Sequence, residues 1–348
     1  MRKTHIYMLC LAAVFAYAGC AKETTIGPND ANKRFVNAWM SVNHPGNKAV
    51  WNGVESPDSN GIYILEFREG DKELVVSNDG YAIVDYRTTD LEGNITSYTS
   101  AETARQLGKY SMTNYYGPKV WLTQDATIQA GLQNAITGMK VGGYKKVMIP
   151  SWLMSYSTFE TPGEYLANST DYTNTIYEFT VHDFTKDINQ WQIDSIKRYI
   201  EKEYGSLENF TNDSTGFYYM QKKAPVSDKE FPSDTTIYIN YTGKLLNGLV
   251  FDTTSEIVAK ENGLYNPSKT YEPVSIKWAE ASGDITMGSG GSSVIGGFAL
   301  TLWHMKAMEE GVGIFYSPLG YGYSGSGESI PPYAPLIFEI EIVEKPEA

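Results

Sequence analysis

Two stretches of this 348-residue chain repeat one another at a constant distance. Solenoid repeats have periods of about 20–50 residues, so a much longer period indicates a duplicated domain. The matching residues lie 155 positions apart in each pair: Gly61 and Gly216, Tyr86 and Tyr241, Leu91 and Leu246, Gly93 and Gly248. The sequence therefore predicts two copies of one fold, in a chain long enough for two domains of ordinary size.

Each copy shows the same order of strand and helix signals. Residues 81–86 and 236–241 alternate β-forming side chains, and Asn247-Gly248 is typical of a tight hairpin turn. Later in each copy, 132–136 and 298–302 have apolar residues at helical spacing. Each copy then ends in a β-rich run. We expect an α+β fold in which each domain is an antiparallel sheet wrapped on one short helix.

The two copies are separated by an amphipathic run, 188–204, which Gly205 is expected to end. Residues around Phe35 and Trp39 suggest a further helix before the first copy. The predicted organisation is a signal peptide at 1–19, a flexible tether at 20–32, an N-terminal helical segment at 33–60, a first domain at 61–184, a linker helix at 185–205 and a second domain at 206–348.

The N-terminus predicts export and lipidation. Arg2 and Lys3 precede an apolar run that is too short to span a bilayer but suits a signal peptide, and Tyr17-Ala18-Gly19-Cys20 is similar to a bacterial lipoprotein cleavage site. Cys20 is the expected lipid attachment site and membrane anchor. We expect a Gram-negative envelope lipoprotein, placed at the outer membrane and facing the periplasm or the cell surface.

The net charge of −13 argues against a nucleic-acid partner, because phosphate binding requires a basic face. An ordered series of short motifs in the second copy is more specific. The series is Tyr241-Thr242-Gly243, Phe251-Asp252, Val294-Ile295-Gly296-Gly297-Phe298, Tyr321-Gly322, Ile330-Pro331-Pro332 and Leu336-Ile337-Phe338. It resembles the FKBP-type peptidyl-prolyl cis-trans isomerases over nearly all of residues 216–345, and more weakly over 61–184.

The resemblance implies two FKBP-like domains and an apolar pocket for a proline-containing polypeptide, such as an unfolded exported protein. It implies that Tyr241 and Phe251 line a wall, that Phe298 forms the floor, and that the Ile295 N–H and the Tyr321 hydroxyl hold substrate carbonyls. The implied site residues are Tyr241, Phe251, Asp252, Val294, Ile295, Phe298, Tyr321, Ile330 and Phe338. The reaction twists a planar amide and requires no nucleophile, metal or cofactor.

The second copy departs from the family pattern in several ways, among them Ser326 and Ser329, which stand where other members often have bulkier groups. Many members have tryptophan where Phe298 stands, and many place an arginine beside the pocket aspartate, whereas 206–348 contain no arginine. Asp252 is then expected to pair with Tyr241 or to stay solvated. The 41 residues 253–293 also form a long insertion, which could cover the pocket as a lid or bind something itself.

The first copy has lost more of the pattern. Tyr86 remains, but Phe-Asp is replaced by Thr96-Ser97, or by Tyr98-Thr99 if the loop is longer, and the floor position falls on Leu132. It is predicted to be a divergent, inactive copy. The leading hypothesis is an envelope prolyl isomerase that assists folding of exported proteins. The alternatives are a non-catalytic FKBP-like chaperone or protein-binding lipoprotein and, from the 26 Tyr and 7 Trp, a glycan-binding lipoprotein.

Overall fold

The computed structural model describes residues 28–169 and 172–347, and these residues form two antiparallel sheets with helices packed against them. The predicted signal peptide and Cys20 lie outside the described residues. No helix within the described ranges is long and apolar enough to cross a membrane. The α+β fold class predicted from the sequence is confirmed.

The helices are α1 Pro28–Asn43, α2 Ala101–Gln106, α3 Ala130–Ile136, α4 Pro162–Asn168, α5 Ile188–Tyr204, α6 Glu256–Glu261 and α7 Gly296–His304. The strands of the first sheet are β1 Ala49–Trp51, β2 Val54–Glu55, β3 Ile62–Arg68, β4 Tyr81–Thr89, β5 Ile95–Tyr98, β6 Lys119–Leu122, β7 Tyr144–Ile149 and β8 Thr175–Thr185. Those of the second sheet are β9 Phe217–Lys223, β10 Thr236–Leu245, β11 Val250–Thr253, β12 Val274–Lys277, β13 Thr286–Met287, β14 Ser292–Ser293, β15 Glu310–Phe315 and β16 Leu336–Val343.

The two sheets have the same strand order, which supports the duplication inferred from the sequence. In the first sheet the order β3-β7-β8-β4 is extended by β5 and β6, which both pair with β4. In the second sheet the order β9-β15-β16-β10 is extended by β11 and β12, which both pair with β10. Each additional strand pair, β1–β2 or β13–β14, is attached at an edge of its sheet. The chain therefore contains two copies of one topology.

Each copy contains a second short helix that the sequence pattern did not predict. Helices α2 and α6 have six residues each, too few for a clear hydrophobic period. Both begin at a serine, since the hydroxyls of Ser100 and Ser255 accept hydrogen bonds from the backbone N–H groups of Thr103 and Val258. Such N-caps satisfy donors that a helix start leaves unpaired. The predicted layout of one helix per sheet was therefore too simple.

The N-terminal segment differs from its prediction. Helix α1 begins at Pro28, inside the predicted tether 20–32, and β1 and β2 lie within the predicted helical segment 33–60. The Asn32 amide donates to Ser151 Oγ at 2.6 Å, and Val36 and Met40 are buried in the core of the first domain. Tertiary contacts with residues more than 100 positions away therefore fix the start of α1.

Helix α5 connects the two sheets within the bounds predicted from its periodicity. Asp187 caps its first turn, and Gly205 ends it with a φ of 82°, a conformation that glycine adopts without a Cβ penalty. Ile196 and Ile200 are fully buried against the second sheet. At the other end, the Trp191 indole donates to Asp183 of β8 at 2.9 Å. The helix thus contacts both halves of the chain.

A pair of stacked tyrosines recurs in both copies and shows that most of 253–293 has a counterpart in the first copy. Tyr110 and Tyr116 stack at 5.4 Å between ring centroids, and Tyr265 and Tyr271, 155 positions later, stack at 5.7 Å. The same spacing of 155 relates β6 to β12, whereas α3 and α7 start 166 positions apart (296 − 130). The second copy therefore gains only 11 residues here, in the segment that carries β13 and β14. Relative to the first copy, most of these 41 residues are therefore not an insertion, whereas the length of the segment relative to the family stays a prediction.

Candidate functional site

The centre of the site is a cluster of four aromatic rings. Phe338 of β16 lies 5.0 Å from Phe298, 5.6 Å from Phe251 and 6.1 Å from Tyr241, measured between ring centroids. Tyr241 and Phe298 are 5.5 Å apart and nearly perpendicular. Edge-to-face packing of this kind is favourable because the positive ring edge meets the negative ring face. Four predicted site residues thus form one apolar wall and floor.

Gly243 allows the rings of this cluster to approach one another. It lies opposite Phe338 in the pairing of β10 with β16 and opposite Asp252 in the pairing with β11. A Cβ at this position would lie 2.6 Å from the Phe251 ring and 2.9 Å from the Phe338 ring, too close for real carbon atoms. The glycine of the Tyr-Thr-Gly motif therefore leaves space for two pocket aromatics.

Gly297 has a similar role beneath the floor. A Cβ on Gly297 would lie 2.2 Å from Phe315 Cδ2, so glycine lets the first turn of α7 sit directly on β15. Phe315 in turn stacks on Phe338, with centroids 5.9 Å apart and planes 2° from parallel. Phe298, the third residue of α7, is thereby held against the cluster and is only 2% exposed.

A polar rim lies at the edge of the aromatic cluster. The Tyr241 hydroxyl donates to Asp252 Oδ2 at 2.5 Å, as expected from the sequence, and Lys269 Nζ donates to Asp252 Oδ1 at 3.0 Å. Lys269 also donates to the backbone oxygen of Thr253 at 3.1 Å. Lys269 therefore provides the cation that the sequence analysis found missing. No motif or fixed spacing pointed to it, because it reaches Asp252 only through the fold of the loop between α6 and β12.

The two tyrosine hydroxyls near Asp252 remain protonated donors. Burial, followed by the charge of Asp252 and the hydrogen bond to it, raises the pKa of Tyr241. Burial, followed by the charge of Asp252, also raises the pKa of Tyr321. The Tyr321 side chain is 37% exposed, and its hydroxyl donates no hydrogen bond within the described part of the chain. It can therefore donate to a ligand.

The remaining predicted residues belong to, or pack against, the hydrophobic core of the second domain that contains the four rings. Val294 and Ile295 are half-buried against it, in the loop that leads into α7, and Ile330 is buried. The Ile295 N–H donates no hydrogen bond to any described residue. Ile330 is held by two backbone bonds with Ser326, of 2.8 and 3.1 Å. The structure thus brings Tyr241, Phe251, Phe298 and Phe338 into contact and places Asp252 and Tyr321 beside Tyr241, while a shared site that also includes Val294, Ile295 and Ile330 stays a prediction.

A segment of the first domain reaches the loops beside the cluster. The Tyr115 N–H donates to the Glu328 carbonyl at 2.8 Å, in the loop that holds Tyr321 and Ile330. Met112 lies against Gly263, just after α6, and Tyr115 packs against the core of the second domain. The first domain therefore contacts both loops that carry the polar rim.

Comparison with known proteins places this site within a matched region. Residues 227–343 match the family model described as FKBP-type peptidyl-prolyl cis-trans isomerase. The chain is 32% identical over 108 residues to the FKBP-type 22 kDa peptidyl-prolyl cis-trans isomerase of Escherichia coli (strain K12), a match that covers 31% of this chain and 40% of that protein. It is 28% identical over 142 residues to a probable FKBP-type peptidyl-prolyl cis-trans isomerase of Haemophilus influenzae, covering 41% of this chain and 48% of that protein. The chain thus spans less than half the length of either relative.

Solved structures with some similarity include two FKBP proteins. The three FKBP domains of wheat FKBP73 align with a TM-score of 0.28 and 16% identity, covering 82% of this chain and 94% of that one. FkpA from Escherichia coli aligns with a TM-score of 0.31 and 24% identity, covering 45% of this chain and 58% of that one.

Proposed function

Because residues 227–343 match the family model of FKBP-type peptidyl-prolyl cis-trans isomerases, we propose that this protein belongs to that family and catalyses the isomerisation of X-Pro bonds in polypeptides through the second domain. The observation that carries the proposal is the convergence of Tyr241, Phe298 and Phe338 beside the free donors of Ile295 and Tyr321. We further propose that the substrates are unfolded proteins.

The chemistry follows from the resonance of the amide. A planar peptide bond has partial double-bond character and a rotation barrier of about 18–20 kcal/mol. When the bond is twisted by 90° this resonance is lost, so the amide becomes less dipolar than in its planar form. An apolar surface of aromatic rings therefore disfavours the planar ground state more than the twisted transition state. Catalysis depends on such differential stabilisation, and a 10⁴-fold acceleration needs only about 5.4 kcal/mol.

The polar groups at the rim are proposed to position the substrate. The Ile295 N–H and the Tyr321 hydroxyl would each donate to a substrate backbone carbonyl other than that of the rotating X-Pro amide, leaving the proline ring against Phe298. Holding the flanking groups in a fixed geometry lowers the entropic part of the barrier. The hydrogen bond from the Tyr241 hydroxyl to Asp252 would fix the orientation of the Tyr241 ring at the side of the pocket.

The activity is tested with residues 21–348, the chain without its proposed signal peptide and lipidated cysteine. We expect it to accelerate cis-to-trans isomerisation of a blocked Ala-Leu-Pro-Phe peptide and the proline-limited refolding of a model protein. A rate equal to the uncatalysed rate in both assays would exclude an isomerase. If the protein still suppressed aggregation of the unfolded model protein, the non-catalytic chaperone function would replace it.

Replacing Lys269 by methionine is expected to lower kcat/KM by about two- to fivefold at low salt. The pair of Lys269 and Asp252 is half-exposed, with side chains 42% and 43% exposed, and such pairs contribute about 0.2–1 kcal/mol. Because about 1 M salt screens exposed charges over a few ångströms, the difference from the unmodified protein should shrink at high salt. The measurement is the peptide assay at both salt concentrations.

The matched control is Lys277→Met. Lys277 pairs with Asp234 at 3.1 Å on an exposed part of the same domain, away from the aromatic cluster. The Lys277→Met substitution should leave kcat/KM unchanged at either salt concentration. Equal effects of the two substitutions would show that only the net charge of the protein matters, and would remove the positioning role of Lys269.

We also propose that the protein is a lipoprotein of the Gram-negative envelope, attached to the membrane through a lipid on Cys20. The support is the signal-like sequence before Cys20, with Ala18 and Gly19 directly preceding the cysteine. Stable anchoring requires more than one acyl chain, as lipoproteins carry. Expression with an alkyne-labelled palmitate should label the full chain and place it in the membrane fraction. Labelling that persists in Cys20→Ala would rule out this anchor.

A further inference from the structure

The first domain contains a cavity of about 290 Å³ at the position that corresponds to the aromatic cluster of the second. Thr88 lies opposite Tyr177 in the pairing of β4 with β8, as Gly243 lies opposite Phe338 in the pairing of β10 with β16. Tyr177 is therefore the structural counterpart of Phe338. Leu132, the third residue of α3, corresponds in the same way to Phe298.

The polar rim is retained in an altered form. Ser97 lies opposite Thr88, as Asp252 lies opposite Gly243, so Thr96-Ser97 and not Tyr98-Thr99 replaces Phe-Asp. The Tyr86 hydroxyl lies 3.3 Å from Ser97 Oγ, where Tyr241 meets Asp252 in the other copy. The first domain thus keeps the hydroxyl contact and loses the carboxylate charge.

One side of this cavity is formed by three aromatic rings that pack on one another. Trp121 lies 5.3 Å from Tyr86 and 6.1 Å from Tyr177, measured between ring centroids. Leu132, which stands in place of the phenylalanine floor, is a smaller side chain and lines the cavity. A volume of about 290 Å³ lies at the lower end of the usual range for ligand pockets, which is about 300–1,000 Å³. It suits one or two residues of a peptide.

The hydroxyl of Tyr177 is the feature that has no counterpart in the second domain. Burial, followed by the nearby hydroxyls of Tyr86 and Tyr156, raises the pKa of Tyr177, so this group stays a protonated donor. It donates no hydrogen bond within the described ranges 28–169 and 172–347. Tyr177 is partly buried and lines the cavity, so its hydroxyl is free to donate to an acceptor atom of a ligand that enters there.

We propose that this cavity is a second binding site, which holds a proline-containing segment of an unfolded polypeptide without isomerising it. The proposal rests on the proposed function of the second domain for the ligand class, since the two sites share one framework. The proline ring would lie among Tyr86, Trp121 and Leu132, and Tyr177 would donate to the carbonyl oxygen of the X-Pro bond. A donor on that oxygen stabilises the dipolar, planar amide, which is the ground state. The site would therefore retain its ligand and not accelerate rotation.

The test is photo-crosslinking of residues 21–348 with the blocked peptide Ala-Leu-Pro-Bpa, in which Bpa is benzoylphenylalanine, followed by mass-spectrometric mapping. Adducts are expected in two groups, one beside Phe298 and one beside Trp121. Tyr177→Phe should reduce the second group about fivefold, because one hydrogen bond is lost. Tyr172→Phe, an exposed tyrosine of the same domain, should change neither group. With the peptide Ala-Leu-Ala-Bpa, which lacks proline, neither group of adducts should form.

The outcomes separate this inference from the proposed isomerase function. Adducts confined to the region of Phe298 would overturn the second site and leave the isomerase intact. Adducts near Trp121 that persist equally with Ala-Leu-Ala-Bpa, or in a Tyr177→Phe variant with an unchanged melting temperature, would also overturn it. The absence of adducts at both places would contradict both proposals.

Discussion

Replacing Phe298 by leucine is expected to lower kcat/KM for prolyl isomerisation by about 10- to 100-fold. Phe298 makes two edge-to-face contacts, at 5.5 Å with Tyr241 and 5.0 Å with Phe338. These contacts hold the ring in place, and leucine would remove the flat aromatic face against which the proline ring is proposed to lie; a 10- to 100-fold loss corresponds to about 1.4–2.7 kcal/mol of transition-state stabilisation. The first domain has leucine, Leu132, at the corresponding position. The substitution therefore gives the second domain the same floor residue as the divergent first domain. The measurement is the peptide assay.

Phe231→Leu is the matched control for this substitution. Phe231 is a half-buried phenylalanine of the same domain that packs on Trp278 at 5.0 Å, outside the aromatic cluster. The Phe231→Leu substitution should lower the stability of the domain slightly and change kcat/KM by less than twofold. If Phe298→Leu retained full activity with an unchanged melting temperature, the proline ring would not bind against this floor, and the proposed site would be wrong.

The parts of the site that the sequence predicted are those carried by short, ordered motifs. Val294 to Phe298 combine a backbone turn, two glycines and the first turn of a helix, so their relative positions follow from local structure. Tyr241 and Phe338 lie on neighbouring strands, and the duplicated strand order follows from the constant spacing of the repeat. The predicted roles of these residues in catalysis remain proposals.

The parts that the sequence did not predict depend on contacts between distant residues. Lys269 reaches Asp252 across a loop of no fixed motif, and α1 is held by Asn32 against Ser151. The paired tyrosines 110/116 and 265/271 repeat at the known spacing of 155, so this similarity could have been found by extending the comparison of the copies. The pair shows that most of the segment 253–293 is common to both copies.

Replacing Gly297 by alanine is expected to destabilise the second domain by about 2–3 kcal/mol or more. The new Cβ would lie 2.2–2.4 Å from three atoms of the Phe315 ring, and Phe315 is fully buried, so it cannot move into solvent. Overpacking a dense core typically costs about 1–3 kcal/mol, and here the clash is with a rigid ring. Because Phe315 stacks on Phe338, the strain should also disturb the aromatic cluster and lower activity.

Gly296→Ala provides a control one residue away in the same helix. The nearest atom to a Cβ on Gly296 would be Leu319 Cδ2 at 3.6 Å, an ordinary contact distance. Since alanine favours helix over glycine by up to about 1 kcal/mol, this substitution should be neutral or slightly stabilising. Calorimetry of residues 21–348 should therefore show a lowered transition for Gly297→Ala and an unchanged or raised one for Gly296→Ala. Equal behaviour of the two variants would mean that α7 is not packed directly on β15, and that the two glycines do not set the position of the pocket floor.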